Sequence, residues 1–337
     1  MKAIGFKKSL PITEAESFIE FETDKPSPTG NDILVKISAI SVNPVDFKVR
    51  QKAALEKSLD SPKIIGWDAA GTVVATGDKV SLFKVGDEVY YAGDLTRDGS
   101  NAEYQLVDER IVGFKPKNLT MAEADAVPLT GLTAWESIFD RIKVDPNKDQ
   151  GKSILFLAGA GGVGSIAIQI AKKLTGLKVI ATASRPETQA WCEELGADHV
   201  VNHHKLKEDL DKIGFSQIDF VLDLVDLGAY WNTLAEIIKP QGHIVSITGS
   251  SKPLDLNVLK TKSVSFSWEL MYTRSMYQTE DMVIQHEILN QMGKMLESGN
   301  LKTTLTTTLE GFTVDNLKKA HEMQESGKTI GKTVIQF

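Results

Sequence analysis

Residues 154–172 read Ile154-Leu155-Phe156-Leu157-Ala158-Gly159-Ala160-Gly161-Gly162-Val163-Gly164-Ser165-Ile166-Ala167-Ile168-Gln169-Ile170-Ala171-Lys172. The apolar run at 154–158 predicts a strand, Gly159, Gly161 and Gly164 form G-x-G-x-x-G, and the residues from Ser165 onward predict a helix. In a chain with 26 glycines such a spacing arises easily by chance. The strand before it and the helix after it give it weight. Glycine allows a sharp turn and lets a diphosphate approach without a Cβ in the way. The helix N-terminus adds unpaired N–H groups and a partial positive charge. Gly159, Gly161, Gly162, Val163 and Gly164 are therefore expected to cradle a dinucleotide, with Gly164 letting the helix pack close to its sheet. The plainer alternative is a tight strand-to-helix turn without a ligand.

The pattern continues downstream. Apolar stretches at 178–182, 199–202, 218–224 and 243–248 predict strands, with one more at 263–267. Helices are predicted to start near Val163, Pro186, Lys205 and Gly228. Strands apolar throughout, alternating with helices, predict βαβ crossovers and a parallel sheet covered on both faces. About 20 residues past such a glycine turn, NAD-binding sheets place an Asp or Glu for the ribose 2′-hydroxyl. Here the strand runs into Ala183-Ser184-Arg185-Pro186, with no acid at that edge. Ser184 can hydrogen-bond a 2′-phosphate and Arg185 can pair with it through a charged fork, so NADPH is expected in preference to NADH. Alternatively, Arg185 is a solvated charge ahead of a proline-led helix.

Outside this block the chain reads differently. Residues 33–37, 71–75, 85–90 and 102–107 predict strands punctuated by Gly and Asp, an antiparallel β region. Residues 121–126 open a helix, with Thr120 and Glu123 spaced as a capping box. Helices ending at Gly299 and Gly327 and a strand at 329–337 close the chain. The 337 residues suit two domains. The expectation is an α/β protein with a Rossmann doubly wound parallel sheet at 126–267, inserted into a mostly β domain made of 1–125 and 268–337.

Composition narrows the function. The 38 Lys and Arg against 45 Asp and Glu leave a net charge of −7, which argues against bulk binding to nucleic acid or anionic membrane. No run of about 18 apolar residues is present, and residues 1–8 hold no apolar stretch of signal-peptide length. One cysteine, Cys192, makes neither an intramolecular disulfide nor a four-cysteine zinc site. In its helical stretch it reads as a packing residue. A cytoplasmic protein is expected.

Several motifs recur in a telling order: Asn43-Pro44-Val45-Asp46, Gly66-Trp67-Asp68-Ala69-Ala70-Gly71, Gly86-Asp87-Glu88-Val89, Gly131-Leu132-Thr133-Ala134-Trp135-Glu136, the glycine turn, and Leu195-Gly196-Ala197-Asp198-His199. Together they resemble the medium-chain dehydrogenases/reductases of the zinc-free quinone oxidoreductase type, over essentially the whole chain. The resemblance implies that the β domain is a GroES-like catalytic domain. Zinc alcohol dehydrogenases of that superfamily hold their metal with Cys, His and Cys. The matching positions here are Asn43, Trp67 and residues 128–130, which include no cysteine. Amide and indole are poor zinc ligands. The histidines show no ligand spacing, and His203 and His204, adjacent on a predicted strand, would point to opposite faces. No metal is expected.

The resemblance also implies roles for single residues. Asn43 would orient the nicotinamide ribose or the substrate, or else, with Asp46, only hold the Asn-Pro turn. Trp67 would wall the substrate slot, or pack in the core. Thr133 would lie near the cofactor, or cap the helix containing Trp135. His203 stands where the family has a tyrosine against the adenine and 2′-phosphate. Thr248 and Gly249 follow a strand end and are expected near the nicotinamide. Lys332 resembles a basic residue reaching the diphosphate, with a surface lysine as the alternative. Residues 267–272 line the slot, a subunit contact or the core.

The activity implied is NADPH-dependent, zinc-independent reduction of a small molecule, a quinone or an α,β-unsaturated carbonyl (an enone), by direct hydride transfer. A homodimer is implied, with no nucleic-acid or membrane partner. Two alternatives stay open: an alcohol dehydrogenase with unrecognised metal ligands, and a non-catalytic NADPH-binding regulatory protein.

Overall fold

The computed structural model describes all of residues 1–337 and divides into two compact units, Met1–Leu129 with Tyr272–Phe337, and Thr130–Met271. The divisions fall after residues 129 and 271, where the sequence suggested 125 and 267.

Thr130–Met271 contains a six-stranded parallel sheet. Its order is His199–Val201, Lys178–Thr182, Ser153–Phe156, Ile218–Asp223, Ile238–Ser246, Ser265–Trp268. The helices Gly162–Leu174, Pro186–Glu194, Leu206–Lys212 and Leu227–Ile237 connect successive strands. The chain works outward from Ser153–Phe156 in one direction, then restarts on its other side at Ile218–Asp223. The carboxyl end of Ser153–Phe156 is therefore a topological switch point, where doubly wound sheets bind ligands. Every residue of that strand is buried. Leu155, Ile180, Val221, Leu234 and Ile244 share one apolar core cluster, as strands covered on both faces require.

Three local expectations change. Thr133 lies inside the helix Pro128–Trp135 rather than capping it. That helix starts at Pro128, whose fixed φ and missing N–H suit a first turn. His203 and His204 sit on a single 3₁₀ turn, His203–Lys205, beyond the strand His199–Val201. Asn202 accepts a hydrogen bond from the His204 amide (3.0 Å) and closes that turn, so the two rings lie side by side, tilted by 44° with centroids 4.0 Å apart, instead of facing opposite ways. The strand Ile238–Ser246 begins well before the apolar stretch at 243–248 and bends at Gln241, φ 63°, just after Pro240.

The other unit is built on a seven-stranded sheet. Lys332–Gln336, Asp32–Ser41 and Asp68–Thr76 lie side by side in it. Their antiparallel registers pair Val334 with Ser41 and Ser41 with Asp68. The helix Met121–Asp125 packs against these strands. It starts with the capping box expected of Thr120 and Glu123 and ends in the buried Asp125. Register and helix together bring Ser41, Asp68, Asp125 and Lys332 to one place.

Candidate functional site

Each unit carries a candidate site of its own. In Thr130–Met271 it is the carboxyl edge of the parallel sheet. Ala158 leaves the strand at φ 59° and begins the glycine turn. The Gly159 amide donates to the Thr182 carbonyl (3.0 Å) and the Ala158 amide to Thr182 Oγ1 (2.9 Å), so the turn is pinned to the neighbouring strand. A Cβ on Gly164 would come within 2.5 Å of the Gly159 carbonyl oxygen, and one on Gly159 within 2.7 Å of Ala181 Cβ. Gly161 is the N-cap of Gly162–Leu174, so the amides of Gly162, Val163 and Gly164 occupy the first helical turn, which has no intrahelical acceptors. Cys192 packs behind the turn, and burial pushes its thiol up to about 12. It is an inert packing residue.

The neighbouring strand ends carry the other expected residues to the same edge. Ser184 and Arg185 follow Lys178–Thr182. Arg185 is the N-cap of Pro186–Glu194, and its Nε lies 3.0 Å from Glu187 Oε1. His203 follows His199–Val201, and burial with the adjacent His204 lowers its pKa. Thr248 and Gly249 follow Ile238–Ser246. The Thr248 hydroxyl donates to Asp223 Oδ2 (2.7 Å) and accepts from the Leu227 amide (3.1 Å), so it is fully committed within the fold. A Cβ on Gly249 would meet nothing within 4 Å. Asp223 is the organiser of this edge, since it also accepts from Ser246 Oγ (2.7 Å). The sequence reading passed over it.

The same unit holds a paired carboxyl. Glu136 and Glu269 are both buried beside Arg141, whose Nε donates to Glu269 Oε2 at 2.7 Å and whose Nη2 lies 3.9 Å from Glu136 Oε2. Burial first, and then the neighbouring Glu136, raise the Glu269 pKa to about 8.

In the other unit, Asn43, Asp46, Asp68, Asp125 and Lys332 form a buried polar centre. Asp68 Oδ2 accepts from Ser41 Oγ (2.8 Å), Asn43 Nδ2 (2.8 Å) and Lys332 Nζ (3.1 Å), while Oδ1 accepts from the Leu129 amide (2.8 Å). Asn43 is the N-cap of Pro44–Lys52, and its amide donates to Asp46 Oδ2 (2.7 Å). Burial pushes Asp46 up to about 7 and raises Asp125 well above the carboxylate range. Neither Asp125 carboxyl oxygen has a hydrogen-bond partner. Both acids keep their protons to higher pH than a free carboxyl does, while Asp68 and Lys332 make the ion pair.

Both expected catalytic residues are enclosed here. Trp67 is fully buried, edge-on to the Tyr272 ring at 6.3 Å, with Nε1 donating to the Arg97 carbonyl at 3.4 Å. The Asn43 amide is spent on Asp68, Ser41 and Lys332. Lys332, expected at the diphosphate, lies buried with Asn43, Asp68 and the Val42 carbonyl instead. An ammonium has three protons, and this centre takes all three. Asp68 and Asp125 were the residues missed. A charged residue opening a strand as apolar as Asp68-Ala69-Ala70-Gly71 was the available signal.

Comparison with known proteins agrees with this geometry. The family described as alcohol dehydrogenase GroES-like domain matches residues 29–131, and zinc-binding dehydrogenase matches residues 195–335. A zinc-type alcohol dehydrogenase-like protein of Staphylococcus aureus is 48% identical, with all of both chains covered. The chain belongs to the medium-chain dehydrogenase/reductase superfamily. Within it, the chain is quinone oxidoreductase-like. The 2-methylene-furan-3-one reductase of Solanum lycopersicum is 34% identical over 94% of this chain and 74% of its own. The structure of Escherichia coli quinone oxidoreductase complexed with NADPH superposes with a TM-score of 0.84 at 25% identity, covering 100% of both chains. The chain is an oxidoreductase of this superfamily, and its mostly β unit is the GroES-like domain.

Two groups follow from that membership. A nicotinamide dinucleotide fits: a Cβ on Gly161 would touch only the Ala158 carbonyl oxygen, at 3.4 Å, and the first-turn amides beside it supply donors for a diphosphate. Zinc does not fit. No group of three or more His, Cys, Asp or Glu side chains is arranged to hold a metal ion, and the family's ligand positions carry a spent amide and a buried indole.

Proposed function

We propose that the protein is an NADPH-dependent, zinc-independent reductase of quinones or α,β-unsaturated carbonyls. One observation carries this reading: a glycine turn at the sheet's switch point, with Ser184 and Arg185 where an NAD-binding sheet would place an acid. The amides of Gly162, Val163 and Gly164 receive the diphosphate. Ser184 and Arg185 take the 2′-phosphate, and His203 closes the adenine side. Thr248, tied to Asp223, holds the Gly249 backbone open at the nicotinamide end. When bound, NADPH supplies the hydride. Asn43 and Trp67 are held rigid by their buried contacts within the GroES-like unit. The enone reductase from tomato and the NADPH-bound bacterial quinone oxidoreductase support this substrate class and cofactor.

The test is turnover. Protein is mixed with NADPH or NADH and a panel of quinones and enones, and nicotinamide absorbance is followed. Consumption with NADPH, unaffected by chelator, is expected for at least one member. A rate equal to the protein-free control across the panel ends this reading, and loss of activity to chelator ends its zinc-independent part.

A further inference from the structure

We propose that the ammonium of Lys332 is the resident cation of the buried centre in the GroES-like unit and keeps divalent metal out of it. Lys332 Nζ donates to Asn43 Oδ1, to Asp68 Oδ2 (3.1 Å) and to the Val42 carbonyl (3.5 Å). These acceptors are all oxygens, a carboxylate, an amide and a backbone carbonyl, the donor types that hold hard cations. The ammonium is therefore seated as an ion would be. Its charge balances Asp68, which is itself fully buried.

The oxygens that face the ammonium are already engaged. Asp68 Oδ2 accepts from Ser41, Asn43 and Lys332 together, and Oδ1 accepts from the Leu129 amide. The Asn43 amide is used at both ends. Nor can Lys332 swing away. It is 2% exposed and begins the strand Lys332–Gln336, with its own amide bonded to the Thr304 carbonyl at 2.8 Å. A metal ion would have to displace a lysine that has no solvent to enter. This assignment rests on the GroES-like unit alone, so it stands or falls independently of the reductase reading.

The experiment reads bound metal. Wild type, Asp68→Asn, Lys332→Ala and Lys332→Ala/Asp68→Asn are each incubated with zinc or with manganese, freed of excess and analysed by elemental mass spectrometry. Wild type is expected to retain neither metal. Lys332→Ala, with its oxygen donors vacated, is expected to melt lower and to take up manganese, which suits oxygen ligands, with partial recovery of its melting temperature. The double variant removes both charges and is expected to take up neither metal. Stoichiometric zinc in wild type that disappears in Asp68→Asn overturns the proposal. So does a Lys332→Ala protein that melts like wild type and binds no metal. Should Lys332→Ala fail to fold, Lys332→Met and Lys332→Met/Asp68→Asn decide by melting temperature. The double variant melting above the single supports the pairing, and its melting no higher overturns it.

Discussion

Arg185 and Lys332 are both basic residues first assigned to the cofactor's phosphates, and they end in opposite situations. Arg185 stands partly exposed at the head of a helix, ion-paired with the exposed Glu187. Such a surface pair contributes little, so a phosphate can recruit the guanidinium at small cost. Arg185→Ala is expected to weaken NADPH binding by about 1.5–3 kcal/mol, the scale of one hydrogen bond to a charged group, while NADH binding barely changes. Titration of both cofactors against both proteins measures this; equal weakening would show that Arg185 does not read the 2′-phosphate. Lys332 is instead locked in a buried ion pair. Its neighbours in sequence, Ile330-Gly331-Lys332-Thr333, say nothing of that, because its acceptors come from residues 42, 43 and 68.

Among the elements, the strand–turn–helix at 153–174 was legible because its signals are local: an apolar run, glycines at fixed offsets, an amphipathic helix. Its tolerance follows from what surrounds each glycine. In Gly164→Ala the new Cβ would meet two backbone carbonyl oxygens at 2.5 and 2.6 Å, and backbone cannot move aside cheaply. A loss of about 1–3 kcal/mol is expected, with weaker binding of either cofactor. Gly249→Ala meets open space and is expected to melt like wild type. Denaturant unfolding of the two variants checks this; equal stability would mean that the turn is looser than its geometry. Element ends were less legible. Asn202 closing a turn put His203 and His204 on a 3₁₀ turn, and Pro128 starting a helix placed Thr133 inside it. Both follow from single side chains competing with the regular pattern.

At the scale of the whole molecule, three buried acids, Asp46, Asp125 and Glu269, keep protons that an unfolded chain would release. Their folded pKa values lie above their unfolded ones, so the stabilisation is full below the ordinary carboxylate range and is lost as pH rises through the folded values. For Asp46 the window runs from 3.8 to about 7. That span corresponds to about 4 kcal/mol, at roughly 1.4 kcal/mol per pKa unit. Wild type is thus expected to lose stability between pH 5 and about 7, and Asp46→Asn, which mimics the protonated acid, to lose less over the same range. Denaturant midpoints at a series of pH values measure both; parallel profiles would mean that Asp46 is ionised in the folded protein.

The sequence by itself determined the doubly wound sheet, the glycine turn, its continuation to Ser184 and Arg185, and the lack of zinc ligands at Asn43 and Trp67. Each is written in contiguous residues, where hydrophobic period and steric demand act locally. Only the tertiary structure decided what fills the centre of the GroES-like unit. Asn43, Asp68, Asp125 and Lys332 lie far apart in the chain, and antiparallel register brings them together. The same holds for Glu136 with Glu269, which no motif announces. A buried charge's role is set by the dielectric and the partners around it, and those exist only once the chain has folded.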